Sequence, residues 1–84
     1  MKIDNIERDF DEYNNQHVIV FTFANTYDAQ TANINLLPRI RMISHTIDVV
    51  SIENKVKIKF WDATMEQKLL AFCEKIIASL NDAI

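Results

Sequence analysis

Among the 84 residues, two histidines, one cysteine and one tryptophan are the side chains from which a reactive site could be assembled. His45 follows an apolar helical stretch and precedes a β-branched run. An exposed imidazole at such a junction can take or give a proton near neutral pH. It is equally a residue that the negative end of a helix favours for structural reasons. Asp48 follows three residues later; on extended backbone the two side chains point to opposite faces, so a direct His–Asp pair is not expected. Trp61 closes a strand-like run and reads either as the edge of the core or as a platform for a flat ring. His17, at a turn-to-strand junction, reads as a solvated edge residue. Cys73 lies on the apolar stripe of a helix and reads as core rather than nucleophile. A zinc site needs about four ligands. The thin supply of His and Cys makes one unexpected.

Two charged runs admit two readings each. Lys55, Lys57 and Lys59 alternate with apolar residues, as a solvated sheet face or a patch for an anion or acidic partner. Glu7, Asp9, Asp11 and Glu12 form either a solvated face or, if Phe10 and Tyr13 are buried, a contact patch for a basic protein.

Several classes of function are excluded by composition. Glycine is absent, which removes phosphate-cradling loops, dinucleotide fingerprints and nucleophile elbows, all of which need it for close backbone approach. Turns must rely on Asn and Asp. Apolar residues make up 49% and charged residues 25%, the balance of a folded globular chain. The net charge of −3 argues against nucleic acid as a partner. No apolar run is long enough for a membrane span, and none follows Lys2 and Asp4 as a secretory leader would require. A single cysteine permits no internal disulfide, so a cytoplasmic location is expected. The length predicts one domain, residues 1–84.

The elements that must position these side chains follow from periodicity. Asp4 with Glu7 makes a capping box, and Ile6, Phe10 and Tyr13 share a helical face, which predicts a short helix over Asn5–Glu12. The alternative is a strand over Arg8–Tyr13 that turns at Asn14-Asn15. Val18–Phe23 is a β-branched and aromatic strand, apolar on both faces. It should be central, or have its second face covered by a partner subunit. A helix runs from Tyr27 towards Ser44, with Pro38 either kinking it or opening a second helix. Ile47–Ile52 and Val56–Trp61 form a hairpin about Glu53-Asn54. Val56, Ile58 and Phe60 face in and the lysines face out. Thr64 with Gln67 caps a last helix from Met65 to about Asn81. The order predicts an α+β fold, a small antiparallel-rich β-sheet with two to three helices packed on one face. The other face should be polar or shared with a second copy.

From Val20 onward, about three quarters of the chain resembles the pterin-4a-carbinolamine dehydratase family. Phe21-Thr22-Phe23 matches an F-x-F strand, His45 and Asp48 fall on the ends of a His-His-Pro-Asp motif, and Asn54-Lys55-Val56 matches Asn-Lys-Val. Thr46 and Ile47 stand where the family has the second His and the Pro, Glu53 stands where it has an aromatic, and its third His has no counterpart. The resemblance implies loss of water from a 4a-hydroxytetrahydropterin, which is substrate, with no cofactor. It implies His45 as acid or base, with Thr46, Asp48 and Trp61 binding the pterin. It also implies a homo-oligomer. The missing motif residues leave a second role open: a non-catalytic, dimeric protein-interaction module of the same fold. A third reading, independent of the family, is a small acidic inhibitor of a basic partner.

Overall fold

A computed structural model describes residues 1–81. The elements run β1 (Ile3–Asp11), β2 (Gln16–Phe23), α1 (Thr26–Ile43), β3 (Asp48–Ile52), β4 (Lys55–Phe60), a 3₁₀ turn (Ala63–Met65) and α2 (Glu66–Asn81). The four strands form one antiparallel sheet in the order β1-β2-β4-β3. Both helices pack on one face of it, the α+β arrangement expected. No helix among the described residues is long and apolar enough to cross a membrane.

The first element corrects the sequence reading. Residues 3–11 are a strand, not a helix over Asn5–Glu12, and the strand begins and ends earlier than the alternative span Arg8–Tyr13. Ile6 and Phe10, four apart, share a helical face but equally alternate onto one face of a strand. The strand prevails because β2 offers a backbone partner along its whole length, from Ile3↔Phe23 to Asp11↔Gln16. The turn is closed by Asp11, whose carboxylate accepts from the Asn14 backbone at 3.1 Å and the Asn14 side chain at 2.8 Å. Asn15 takes the left-handed φ of 56° that this turn requires, a conformation Asn tolerates. At the second hairpin Glu53 adopts φ 55° at the first turn position, where a residue with a Cβ is strained.

The core lies between the helices and the inner sheet face. Ile19, Phe21 and Phe23 of β2, Val56, Ile58 and Phe60 of β4 and Val49 of β3 meet Ala29, Ala32, Leu36 and Ile40 of α1 and Leu69, Cys73, Ile76 and Ile77 of α2. Asn25 caps α1, its side chain accepting from the Asp28 N–H at 2.8 Å. The helix then runs unbroken through Pro38, so the proline opens no second helix. Before α2 the cap is Asp62 rather than Thr64. Its carboxylate accepts from the Thr64 N–H at 3.0 Å and the Thr64 hydroxyl at 2.6 Å, and α2 starts one residue later than expected. Asn54 ties the β3–β4 turn to the end of β2: Phe23 donates its N–H to the Asn54 carbonyl at 2.8 Å, and the Asn54 amide donates to the Phe23 carbonyl at 3.0 Å.

On the outer sheet face the pairing registers place Glu7, Asp9 and Asp11 of β1 beside Val18 and Val20 of β2, which lie beside Lys57 and Lys59 of β4. Val18 and Val20 are only 5% and 6% exposed although no helix lies above them. They are buried under the stems of the charged rows on either side. The apolar second face of β2 is therefore closed within one chain and needs no partner subunit to cover it.

Candidate functional site

A cleft of about 520 Å³ opens where the end of β4 meets the first hairpin. Asn14 and Gln16 come from the β1–β2 turn, Arg41 from α1, Asp48 from β3, and Lys59 and Trp61 from the end of β4. Its size is in the range of small-molecule pockets, roughly 300–1,000 Å³. Trp61 is 54% exposed, and its indole N–H donates to the Asn14 carbonyl at 3.3 Å, which holds the ring at the rim. The Gln16 side chain is buried beside it. The cleft can hold a flat, polar ring against the indole, with two cations and one carboxylate around it.

Of the four residues expected to act on a ligand, the fold brings two together. Asp48 and Trp61 line the cleft. His45 and Thr46 occupy the turn between α1 and β3, both exposed, and neither is part of the lining. The Thr46 hydroxyl is 2.8 Å from that of Ser44, and its N–H donates to the Ser44 hydroxyl at 3.2 Å, so its polar groups close the turn. The turn follows directly from the end of α1, where the Ser44 N–H reaches the Ile40 carbonyl at 3.1 Å. Asn14, Gln16 and Arg41 were not singled out from the sequence. Asn14 and Gln16 lie in a polar turn run and Arg41 between Ile40 and Met42 of a helix, and only the pairing of β1 with β2 and the length of α1 bring them to the cleft.

His17, expected to be a solvated edge residue, is partly buried between two rings. Its ring meets Phe10 edge-on at 5.2 Å and stacks on Phe60 at 5.7 Å. It fills the end of the inner sheet face. Cys73 is fully buried, and burial, with the Glu74 carboxylate adding to it, pushes its thiol up to about 12. The native chain should therefore leave Cys73 unmodified by a disulfide reagent at pH 8 over hours, and urea should release one equivalent of thiol at once. Rapid native labelling would show that α2 lifts from the sheet. Among the described residues no three His, Cys, Asp or Glu side chains come together as a metal site.

The acidic run takes a form the sequence reading did not anticipate. Phe10 is 43% and Tyr13 96% exposed, so the burial on which the acidic patch was conditional does not occur. The strand nevertheless lines up Glu7, Asp9 and Asp11 on the outer face. Asp11 is held by Lys59 at 3.6 Å. The Asn14 side chain and N–H, with Lys59 contributing less, hold its carboxyl below the ordinary carboxylate range. The Thr64 hydroxyl and N–H do the same for Asp62. A depressed carboxyl stabilises the fold at neutral pH, and that contribution fades as pH falls through its lowered value. Among the described residues Glu7 and Asp9 are in no ion pair. On the inner face of β1, Ile6 and Phe10 stay substantially exposed, and Arg8 reaches Glu66 at the start of α2 at 3.6 Å.

Scans against protein-family models, curated proteins and solved structures find no match for this chain.

Proposed function

We propose that this chain is a non-catalytic protein-interaction module with a pterin-dehydratase-like layout. The separation of His45 from the cleft lined by Asp48 and Trp61 supports this reading. Dehydration of a carbinolamine needs a proton carrier within hydrogen-bond reach of the leaving hydroxyl, directly or through one water. His45 does not line the cleft where a ring would stack, and Thr46 is engaged with Ser44. The module acts as a homodimer through the outer stripe of α1, where Tyr27, Ile34 and Met42 are exposed on one side of the helix. A cytoplasmic setting accompanies the single buried thiol.

One observation favours a second reading, a weak or divergent hydro-lyase. Asp48 and Trp61 do share a cleft of suitable size, and the substrate pterin would need no cofactor. One positioned proton transfer could still accelerate the reaction by about 10²-fold. Turnover of a 4a-hydroxytetrahydropterin by the chain and its His45→Ala variant, with Trp61 fluorescence during pterin titration, separates the two. The module reading expects no turnover above the uncatalysed rate. Turnover that disappears in His45→Ala would overturn it in favour of the hydro-lyase. Sedimentation should show a dimer that dissociates in Ile34→Glu; a monomer at all concentrations removes the homodimer.

A further inference from the structure

We propose that the free edge of β1 takes up a basic strand from a partner protein, in which lysine or arginine alternates with apolar residues. The inference rests on the module reading above and names its partner by chemistry.

The two sheet edges differ. β3 has five residues and is flanked by α1, whose Leu37 and Arg41 reach the cleft beside it. β1 has nine, pairs with β2 on one side only and contains no proline or lysine, residues that commonly block an edge. Along its outer side alternate amides and carbonyls have no strand partner. The Phe10 N–H already donates to the Asp9 carboxylate at 2.8 Å; an added strand would satisfy the groups left over, the mode in which main-chain bonds supply affinity and alternate side chains supply specificity.

The side chains of β1 define what could bind. On the outer face an incoming strand meets Asn5, Glu7, Asp9 and Asp11. Asp11 is engaged by Lys59, while Glu7 and Asp9 hold no ion pair among the described residues. On the inner face it meets Ile6 and Phe10, 38% and 43% exposed, with Arg8 between them reaching Glu66 of α2 at 3.6 Å. Residues directly opposite across antiparallel strands share a face and interact, favourably for opposite charges and unfavourably for like ones. A strand with cations on one face and apolar side chains on the other meets the acidic row and, beside Arg8, which Glu66 already engages, the apolar pair Ile6 and Phe10.

The same rule disfavours a second copy of β1. Pairing β1 with itself antiparallel while keeping the faces aligned sets odd-numbered residues opposite odd-numbered ones. Registers that overlap the two copies across Glu7–Asp11 set the acidic residues of one copy against those of the other. The acidic row thus guards the edge against self-pairing and leaves it open to a basic strand.

The probe is an eight-residue peptide of alternating valine and lysine, titrated into the isotopically labelled chain at low salt and followed by amide shifts and hydrogen exchange. The control peptide has glutamate in place of lysine. Expected are shifts and new exchange protection confined to β1, with affinity at least tenfold weaker for the glutamate peptide and falling with salt. The double variant Glu7→Lys/Asp9→Lys should reverse the preference between the peptides. The neutral Glu7→Gln/Asp9→Asn should weaken lysine-peptide binding, with far-UV circular dichroism confirming the fold. No shift, equal affinity for both peptides, or shifts at β3 instead would overturn the proposal. A chain with no turnover that ignores the peptide loses this proposal and keeps the module reading; turnover that requires His45 removes the module reading itself.

Discussion

Phe21→Ala is expected to lower the unfolding free energy by about 3–5 kcal/mol, the range for deleting a fully buried aromatic ring. Phe21 is fully buried, paired with Ile6 on one side and Val56 on the other, on the sheet face that the helices cover. A chain of this length holds roughly 4–13 kcal/mol in total, so the variant should be close to unfolding at 37 °C. Phe21→Leu keeps most of the volume and should cost about 1–2 kcal/mol, which leaves a measurable transition if the alanine variant does not fold. The informative comparison is Phe10→Ala. Phe10 faces the same side of the sheet, one strand outward, but is 43% exposed. Its loss should cost about 1 kcal/mol, about half the transfer free energy of a buried ring. Urea midpoints at unchanged m-value report all three. A cost for Phe10→Ala equal to that for Phe21→Ala would mean that the inner face of β1 is covered in solution, which would also contradict an open edge.

Pro38→Ala is expected to stabilise the chain by about 2 kcal/mol. A proline in a helix interior is about 3 kcal/mol worse than alanine, and the flexibility that alanine restores to the unfolded chain takes back part of the difference, up to about 1 kcal/mol. Pro38 lies inside the continuous helix Thr26–Ile43 and has no N–H for the Ile34 carbonyl. Both residues are exposed, so water can reach the freed carbonyl. Side chains bond backbone carbonyls on either side: the Asn35 amide donates to the Thr31 carbonyl at 2.8 Å, and Arg39 donates to the Asn35 carbonyl at 2.7 Å. The melting temperature should rise by roughly 8–16 °C, at about 4–8 °C per kcal/mol for a domain of this size. An unchanged melting temperature would mean that the chain breaks before Pro38 in solution, since proline at a first helical position costs little.

Both predictions depend on elements whose legibility differed. β4 was readable because its alternation is complete: Val56, Ile58 and Phe60 are buried while Lys55, Lys57 and Lys59 point away from the core. The apolar stripe of α2, Leu69, Phe72, Cys73, Ile76, Ile77 and Leu80, was readable for the same reason at a period of 3.6 residues; four of the six are buried, and Phe72 and Leu80 are partly so. β1 was not readable in this way. Its apolar residues are few, and the spacing of Ile6 and Phe10 suits a helix or a strand equally. The strand is selected by the backbone of β2, a partner that begins only five residues after β1 ends.

The feature that looked most like chemistry divided along the same line. Residue types and hairpin spacing determined that His45 and Trp61 flank one strand pair, that β2 is a strand apolar on both faces and that lysines line one face of β4. These are local properties, carried by side-chain alternation and turn residues within a few positions of one another. Only the tertiary structure decided that Asp48 and Trp61 share a cleft with Asn14, Gln16 and Arg41 while His45 stands outside it. It also decided that charged side chains bury Val18 and Val20 without a partner, and that β1 keeps an open acidic edge. Those outcomes depend on strand order and on how far each helix extends across the sheet. Both are set by contacts between residues distant in the chain, which periodicity in a single sequence does not encode.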